Sequence, residues 1–484
     1  MVAAGLTIIG LGPGAEDLIT RAAWQALERA EEVYLRTGEH PLADRIASMT
    51  SLKTFDALYL NEPDFESVYS KIIEELLVLA TREQGVVYAV PGDPLVGEAT
   101  VAALLDQAAE KGLPTRVIHG ISFIEPCLEL INHDALDGLH VCDALDLARR
   151  HHPPFPPDAP ALVSQLYSRL VASEVKLTLF NQYPEDHEVV LIHGAGTVDA
   201  STDRVPLFQI DQLPGLGNQT TLYLPALPQE SAFESFQETI AHLRAPDGCP
   251  WDREQTHSSL RMHLLEEAYE TLQALDREDM QALREELGDL LLQIVLQAQI
   301  ATEEGDFTMA DVIAAIQAKL IRRHPHVFGD VDVEDVDQVL HNWESLKAEE
   351  RREQGSQQGA LAGVPLGLPA LAQADEIQAR AARVGFDWDA IDGVIDKVRE
   401  EFEEVAAAEA GEKEFEIGDL LFAIVNYARW FQVDPEAALR TTNVRFRERF
   451  HRMEQNAALH GQKLSEMSLD ELESLWQQAK DEVG

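Results

Sequence analysis

Cations are scarce in this sequence. Its 484 residues hold 38 Lys and Arg against 85 Asp and Glu, a formal net charge of -47, and a field of that sign repels phosphate backbones and anionic lipid headgroups over most of a surface. Nucleic acid and membrane are thereby excluded as bulk partners, and an anionic small substrate must arrive with a metal ion or meet a local cluster of Arg and Lys. Cysteine is scarcer still. Cys127, Cys142 and Cys249 show no C-x-x-C spacing, which speaks against a disulfide framework and against a zinc site, and suits a reducing cytoplasm. No uncharged run reaches the ~18–20 residues of a membrane span, and the opening MVAAGLTIIGLGPG lacks the basic and long apolar regions of an export signal. The expectation is a soluble, cytoplasmic protein. What is present is a globular composition, 45% hydrophobic and 25% charged, long enough for two to four domains at ~100–200 residues each.

Residues 5–225 alternate between strand-like and helix-like segments. Leu6 to Ile9, Gly85 to Val90, Thr115 to Ile118 and Val189 to Ile192 are short apolar runs, and Leu18 to Ala30 reads as a helix. That alternation predicts an α/β domain. The proline-rich stretch from His151 to Pro157 is expected to join two lobes. From about Phe233 the chain turns to long helices, broken by the Gln/Gly-rich segment Glu353 to Gly359 and the turn-rich Gly363 to Pro369. An internal repeat divides the helical part: Glu266-Glu267-Ala268-Tyr269-Glu270 and Glu286-Leu287-Gly288-Asp289 recur as Glu400-Glu401-Phe402-Glu403-Glu404 and Glu416-Ile417-Gly418-Asp419. The expected architecture is an N-terminal α/β domain over 1–226, a first all-α module over 233–350, a linker over 351–369 and a second all-α module over 370–484.

In each copy the acids follow the pattern EExxE, then ExxD. On a helix Glu266 and Glu270 lie about 40° apart and Glu267 and Glu270 about 60°, so the acids share one face. Glu286 and Asp289 sit among Leu287, Leu290, Leu291, Ile294 and Val295, and Glu416 and Asp419 among Ile417, Leu420, Leu421, Phe422 and Ile424. Helices apolar nearly all round are expected to be buried, where an unpaired carboxylate is strongly disfavoured. A cation is therefore expected beside them. Oxygen-only ligands favour Mg²⁺ or Mn²⁺ over zinc or copper, and Mg²⁺ is commonly shared with substrate phosphates, which points to phosphoanhydride or phosphate-ester chemistry. The absence of Glu-x-x-His speaks against a di-iron bundle.

With its flanking segments Cys249-Pro250-Trp251-Asp252 and Arg322-Arg323-His324-Pro325 in the first copy, and Gly385-Phe386-Asp387-Trp388 and Arg445-Phe446-Arg447-Glu448-Arg449 in the second, this pattern resembles the all-α nucleoside triphosphate pyrophosphohydrolases of the MazG type over about 233–484. The resemblance implies Mg²⁺-dependent hydrolysis of a nucleoside triphosphate to monophosphate and pyrophosphate. It implies metal ligation by Glu267, Glu270, Glu286 and Asp289, and by Glu401, Glu404, Glu416 and Asp419, with Glu266, Glu267, Glu400 and Glu401 as catalytic carboxylates. Lys319, Arg322, Arg323, Lys397, Arg445 and Arg449 are candidates for phosphate charge, against the plainer reading of helix-surface salt bridges. Trp251 and Trp388 are candidates for stacking on a base, against ordinary packing.

The loop Gly10-Leu11-Gly12-Pro13-Gly14-Ala15 formally fits the dinucleotide fingerprint, but Glu31 and Glu32 precede the next strand-like run, Val33 to Leu35, instead of following it. A plain tight strand–helix turn is the simpler alternative. Taken with Val90-Pro91-Gly92-Asp93-Pro94 and Gly120-Ile121-Ser122-Phe123, the loop is similar to that of the tetrapyrrole methylases over about 5–226. That resemblance implies S-adenosylmethionine in a cleft between two α/β lobes, with Gly92, Asp93, Ser122 and Ala195 on the cofactor side and the Gly10–Gly14 loop facing the methyl acceptor, whose identity stays open. A metabolite-sensing scaffold with non-catalytic helical modules, and a methyltransferase with helical appendages, remain as alternatives. Small helical modules bury too little surface alone, so the two copies are expected to pair within the chain or across a homodimer.

Overall fold

The computed structural model describes residues 5–483 apart from 334, 337, 340, 341, 344, 347–349, 351–358 and 410. Residues 351–358 of the expected linker thus lie outside the described residues. The chain forms two compact units that divide between His242 and Leu243, 16 residues beyond 226, the expected end of the α/β part. Among the described residues no helix is long and apolar enough to cross a membrane.

The first unit contains two five-stranded sheets. In the first, β1 (Leu6–Gly10), β2 (Glu32–Leu35), β3 (Ser51–Thr54), β4 (Val86–Val90) and β5 (Thr115–Ile118) stand in the order β3-β2-β4-β1-β5, and all neighbours are parallel. Helices α1 (Arg21–Arg29), α2 (Ala43–Ala47), α3 (Asp56–Asn61), α4 (Phe65–Ala80) and α5 (Ala99–Glu110) are the crossovers. Period-2 alternation sends Leu6, Ile8, Val86, Tyr88 and Val90 into the core under α4 and α5, and Ile9, Val87 and Ala89 into the core under α1 and α2. A parallel sheet covered on both faces reads as a continuous apolar run for this reason, and each such side chain contributes roughly 1.5–3 kcal/mol. The predicted helix from Leu18 starts later, at Arg21, because Thr20 accepts a hydrogen bond from the Ala23 N–H and caps it.

After α6 (Ile124–Ile131) comes a mixed sheet ordered β6-β7-β10-β8-β9. Its strands are β6 (His140–Asp143), β7 (Ala161–Ser164), β8 (Glu188–His193), β9 (Ser201–Pro206) and β10 (Thr220–Leu224), joined with α7 (Ala144–Ala148) and α8 (Arg169–Leu179). The proline-rich stretch is not the junction between lobes. It runs from α7 to β7, inside the second sheet's own domain half, and Phe155 is buried in that half's core. The chain changes sheets earlier, between β5 and β6. Proline density marks a break in regular structure, and here the break is a loop that packs.

The second unit is helical. The division falls near the end of α9 (Phe233–Arg244); beyond it, a hairpin of α11 (Arg261–Asp276) and α12 (Met280–Glu304) follows α10 (Pro250–Glu254) and precedes α13 (Met309–Arg323) and α14 (Pro325–Phe328). Asp279 caps α12 through the N–H groups of Gln281 and Ala282, and Gly305 ends it in the left-handed region at φ 80°. Further along are α15 (Ala370–Arg383), a second hairpin of α16 (Ile391–Ala407) and α17 (Lys413–Trp430), then α18 (Pro435–Leu459) and α19 (Leu469–Val483). Arg440 on α18 joins Asp276 at the end of α11 at 2.6 Å, an ion pair that links the two copies.

Candidate functional site

In both hairpins the EExxE segment lies on the first helix and ExxD on the second, and the hairpin lays one against the other. Carboxylate oxygens of Glu267, Glu270 and Glu286 all lie within 4.8 Å of one another, as do those of Glu401, Glu416 and Asp419. Asp289 and Glu404 stand outside these trios, yet each is coupled to one electrostatically: the charge of Asp289 raises Glu267, and that of Glu401 raises Glu404. Burial, then the charges of Asp289, Glu270, Glu266 and Glu286, pushes the Glu267 carboxyl above its ordinary range. Glu286 and Glu404 are raised in the same way. Three like charges converging from two helices form a donor set that suits a hard divalent cation.

One expectation is overturned here. The acids are not enclosed by apolar walls. Leu287 is 50% exposed, Leu291 38% and Ile294 41%, because each second helix packs through one side only. Glu286 and Asp289 are half-buried, Asp419 is exposed, and Glu401 alone among the ligand candidates is buried, at 5%. The carboxylates are crowded by one another rather than stranded in a core.

The candidate cations fare differently from one another. Lys397 Nζ lies 2.7 Å from Glu401 and 3.1 Å from Glu400, on the acid cluster itself. Arg322 and Arg323 both bind Glu350, at 2.6 and 2.5 Å, and hold its carboxyl down at about 2. Arg445 donates to Thr442, Arg449 lies over the Trp476 ring, and Lys319 is exposed on α13. Trp251 is 56% exposed and meets His263 edge-on, one turn before the acids of α11. Trp388 is partly exposed and covers Gly393 on α16, where a Cβ would come within 2.2 Å of its ring.

In the first unit four loops converge at the carboxyl ends of the parallel strands. Gly12 and Gly92 exchange N–H···O bonds at 3.1 and 2.8 Å, and Ala15 donates to the Gly196 carbonyl at 2.9 Å. Gly10 and Gly120 are forced by packing: a Cβ on Gly120 would lie 2.2 Å from the Gly92 oxygen, and one on Gly10 2.6 Å from the Gly120 nitrogen. Gly92 differs. At φ +65° it is in the left-handed region, yet its nearest neighbour would be Ser122 Cα at 4.0 Å, so this backbone leaves room for close approach. Asp93 is occupied within the loops. Its oxygens accept from the Leu95 and Gly120 N–H groups and from His119, at 2.9, 3.2 and 2.9 Å. Ser122 donates to Glu125 and accepts from Ile124, and Ala195 is half-buried in the loop joined to Ala15. The Gly10–Gly14 loop is thus tied to both neighbours rather than open along its length.

Composition and spacing gave no sign of a further group. Arg36, just after β2, and Glu98, just before α5, pair at 2.9 Å beneath Tyr59, Tyr69 and Tyr88. Arg and Glu 62 residues apart carry no spacing signal; only the β2–β4 adjacency brings them together.

Two family models match the chain. One, described as tetrapyrrole (corrin/porphyrin) methylases, covers residues 5–211, and the other, the MazG nucleotide pyrophosphohydrolase domain, covers 255–328. The Bacillus subtilis protein named uncharacterized protein YabN is 40% identical over 495 residues, 99% of each chain. A nucleoside triphosphate pyrophosphohydrolase of Escherichia coli is 47% identical over 248 residues, 50% of this chain and 94% of that one. The nucleoside triphosphate pyrophosphohydrolase/pyrophosphatase MazG of Thermotoga maritima is 46% identical over 250 residues, 51% of this chain and 95% of that one.

Proposed function

Because the chain belongs to the MazG nucleoside triphosphate pyrophosphohydrolase family and carries a tetrapyrrole methylase domain ahead of its MazG domain, we propose that it hydrolyses nucleoside triphosphates to monophosphate and pyrophosphate at two acid clusters, and that its first unit binds S-adenosylmethionine. The observation that carries the hydrolase reading is the convergence of carboxylates from paired helices at Glu267, Glu270 and Glu286, repeated at Glu401, Glu416 and Asp419. The family model covers the first cluster alone; the second enters by the repeat and its matching hairpin.

Magnesium held by such carboxylates would orient a triphosphate and lower the pKa of a bound water. The chain's own part is distinct. Glu267 and Glu270, one turn apart on α11, would hold the metal together with Glu286 of α12. Glu266 lies outward on α11, 3.9 Å from His263, where it can accept a proton from water. In the second copy Glu400 takes that place, beside Lys397. Lys397 is suited to meet phosphate oxygens once the carboxylates are shared with a metal.

Purified protein with Mg²⁺ is expected to release pyrophosphate and monophosphate. Glu267→Gln and Glu401→Gln, singly and together, apportion turnover between the clusters, each loss being on the order of a hundredfold at an active site. Orthophosphate alone, or undiminished turnover in the double variant, overturns the reading. For the first unit, calorimetry with S-adenosylmethionine is the test, and Gly92 the position at which close approach is expected. The exposed apolar residues of α12 and α17 support pairing with a second copy; a light-scattering mass near 53.7 kDa, that of one chain, overturns it.

A further inference from the structure

Three polar atoms at one place in the first unit are buried and lack a hydrogen-bond partner: Arg36 Nε, Glu98 Oε2 and the Tyr59 hydroxyl. The Glu98 side chain is only 4% exposed, and its other oxygen accepts from Arg36 at 2.9 Å. A buried carboxylate oxygen, guanidinium N–H and phenol left unpaired together are destabilising unless something completes them. The place is also where ligands of open parallel sheets bind, at the carboxyl ends of adjacent strands, here β2 and β4.

The surroundings narrow the ligand. The charged groups felt by Tyr59 and Tyr69 are Arg36, Glu98, Asp56 and Asp143, one cation against three carboxylates, and that cation is already paired. Asp143, at the end of β6, comes from the second sheet, so the group lies where the two halves of the unit meet. Phe65 is half-exposed and lies between Tyr59 and Tyr69, with ring centroids at 6.3 and 6.1 Å, offering a flat apolar face beside the unpaired polar atoms. A ligand rimmed with carboxylates, as porphyrin and corrin precursors are, would add negative charge to a negative site. A planar ring bearing amino or ring N–H groups would supply Glu98 Oε2 with its missing donor, and its ring nitrogen or carbonyl would supply Arg36 Nε with an acceptor.

We propose that Arg36, Glu98 and Tyr59 form the acceptor subsite of the methylase-like domain, and that they select a planar, amino-bearing nitrogen heterocycle over a polycarboxylate tetrapyrrole. This rests on the reading of the first unit as a cofactor-binding methylase domain.

The test uses the full chain saturated with S-adenosylhomocysteine, titrated calorimetrically with adenine, cytosine and 2-aminopyridine, and separately with uroporphyrin III. At least one amino heterocycle is expected to bind. Glu98→Gln is expected to weaken it about tenfold or more, and Tyr59→Phe, which removes a single oxygen and preserves packing, severalfold. Uroporphyrin binding tighter than the amines, silence of all three amines, or binding unchanged in both variants overturns the proposal. Amine binding that responds to the variants in protein that does not bind S-adenosylhomocysteine would sink the methylase reading and leave the subsite standing.

Discussion

Lys397 Nζ sits 2.7 Å from Glu401, and no Lys or Arg among the described residues pairs with Glu267, the residue at the same place in the first copy. The repeat offset of 134 residues sets His263 opposite Lys397, and that ring approaches Glu266 only to 3.9 Å. The two clusters therefore differ in charge balance, the second carrying its own cation and the first none.

A divalent ion must compete with the ammonium at the second cluster but only with protons at the first. Lys397→Met is expected to tighten Mg²⁺ or Mn²⁺ binding at the second cluster severalfold while raising KM for the nucleotide, since it removes both a competitor and a phosphate contact. Manganese titration followed by electron paramagnetic resonance, in a Glu267→Gln background, reads the first effect; unchanged affinity would show that the lysine does not occupy the ligand oxygens.

Acidity should act on the metal-free protein in an unusual direction. Glu267 and Glu286 have raised folded-state pKa values, so the folded protein binds their protons more readily than the unfolded chain does. The strain they impose is complete above the folded values and relieved as pH falls through them toward the ordinary carboxylate range. In EDTA the helical unit should melt higher near pH 5 than at pH 7, Mg²⁺ should flatten this trend, and Glu267→Gln should reduce it. Carboxylates held low, such as Glu350 at about 2, lose their contribution only at far stronger acidity.

Glu350 engages Arg322 and Arg323 together. If these guanidiniums bind triphosphate, Glu350→Gln frees them, and KM falls severalfold with little change in kcat. An unchanged KM accompanied by a lower melting temperature would assign the arginines to a structural role; Arg323 and Glu350 are only 14% and 12% exposed, so the loss should cost about 1–3 kcal/mol.

The glycines of the first unit separate packing from ligand approach. Gly120→Ala places a methyl 2.2 Å from a backbone oxygen and should abolish folding of that unit, visible as lost near-ultraviolet circular dichroism. Gly92→Ala meets nothing closer than 4.0 Å and should cost only about 1–2 kcal/mol for its left-handed backbone, while eliminating measurable S-adenosylmethionine binding. Retained cofactor binding in that variant would remove Gly92 from the site.

Much of this protein was determined by residue order alone. The apolar runs Leu6 to Ile9 and Val86 to Val90 specified strands buried on both faces, since a side-chain period of two sends such a run to both sides of a sheet. The spacing of Glu266, Glu267 and Glu270 placed these acids on one helix face because helical periodicity is local. Tertiary structure decided what depends on neighbours distant in the chain: that α12 and α17 leave apolar sides exposed, that Lys397 covers one acid cluster, that Asp93 spends its oxygens on His119 and Gly120, and that Arg36 meets Glu98. Periodicity reports which residues share a face, whereas burial and pairing depend on what that face is packed against, and no local pattern carries that information.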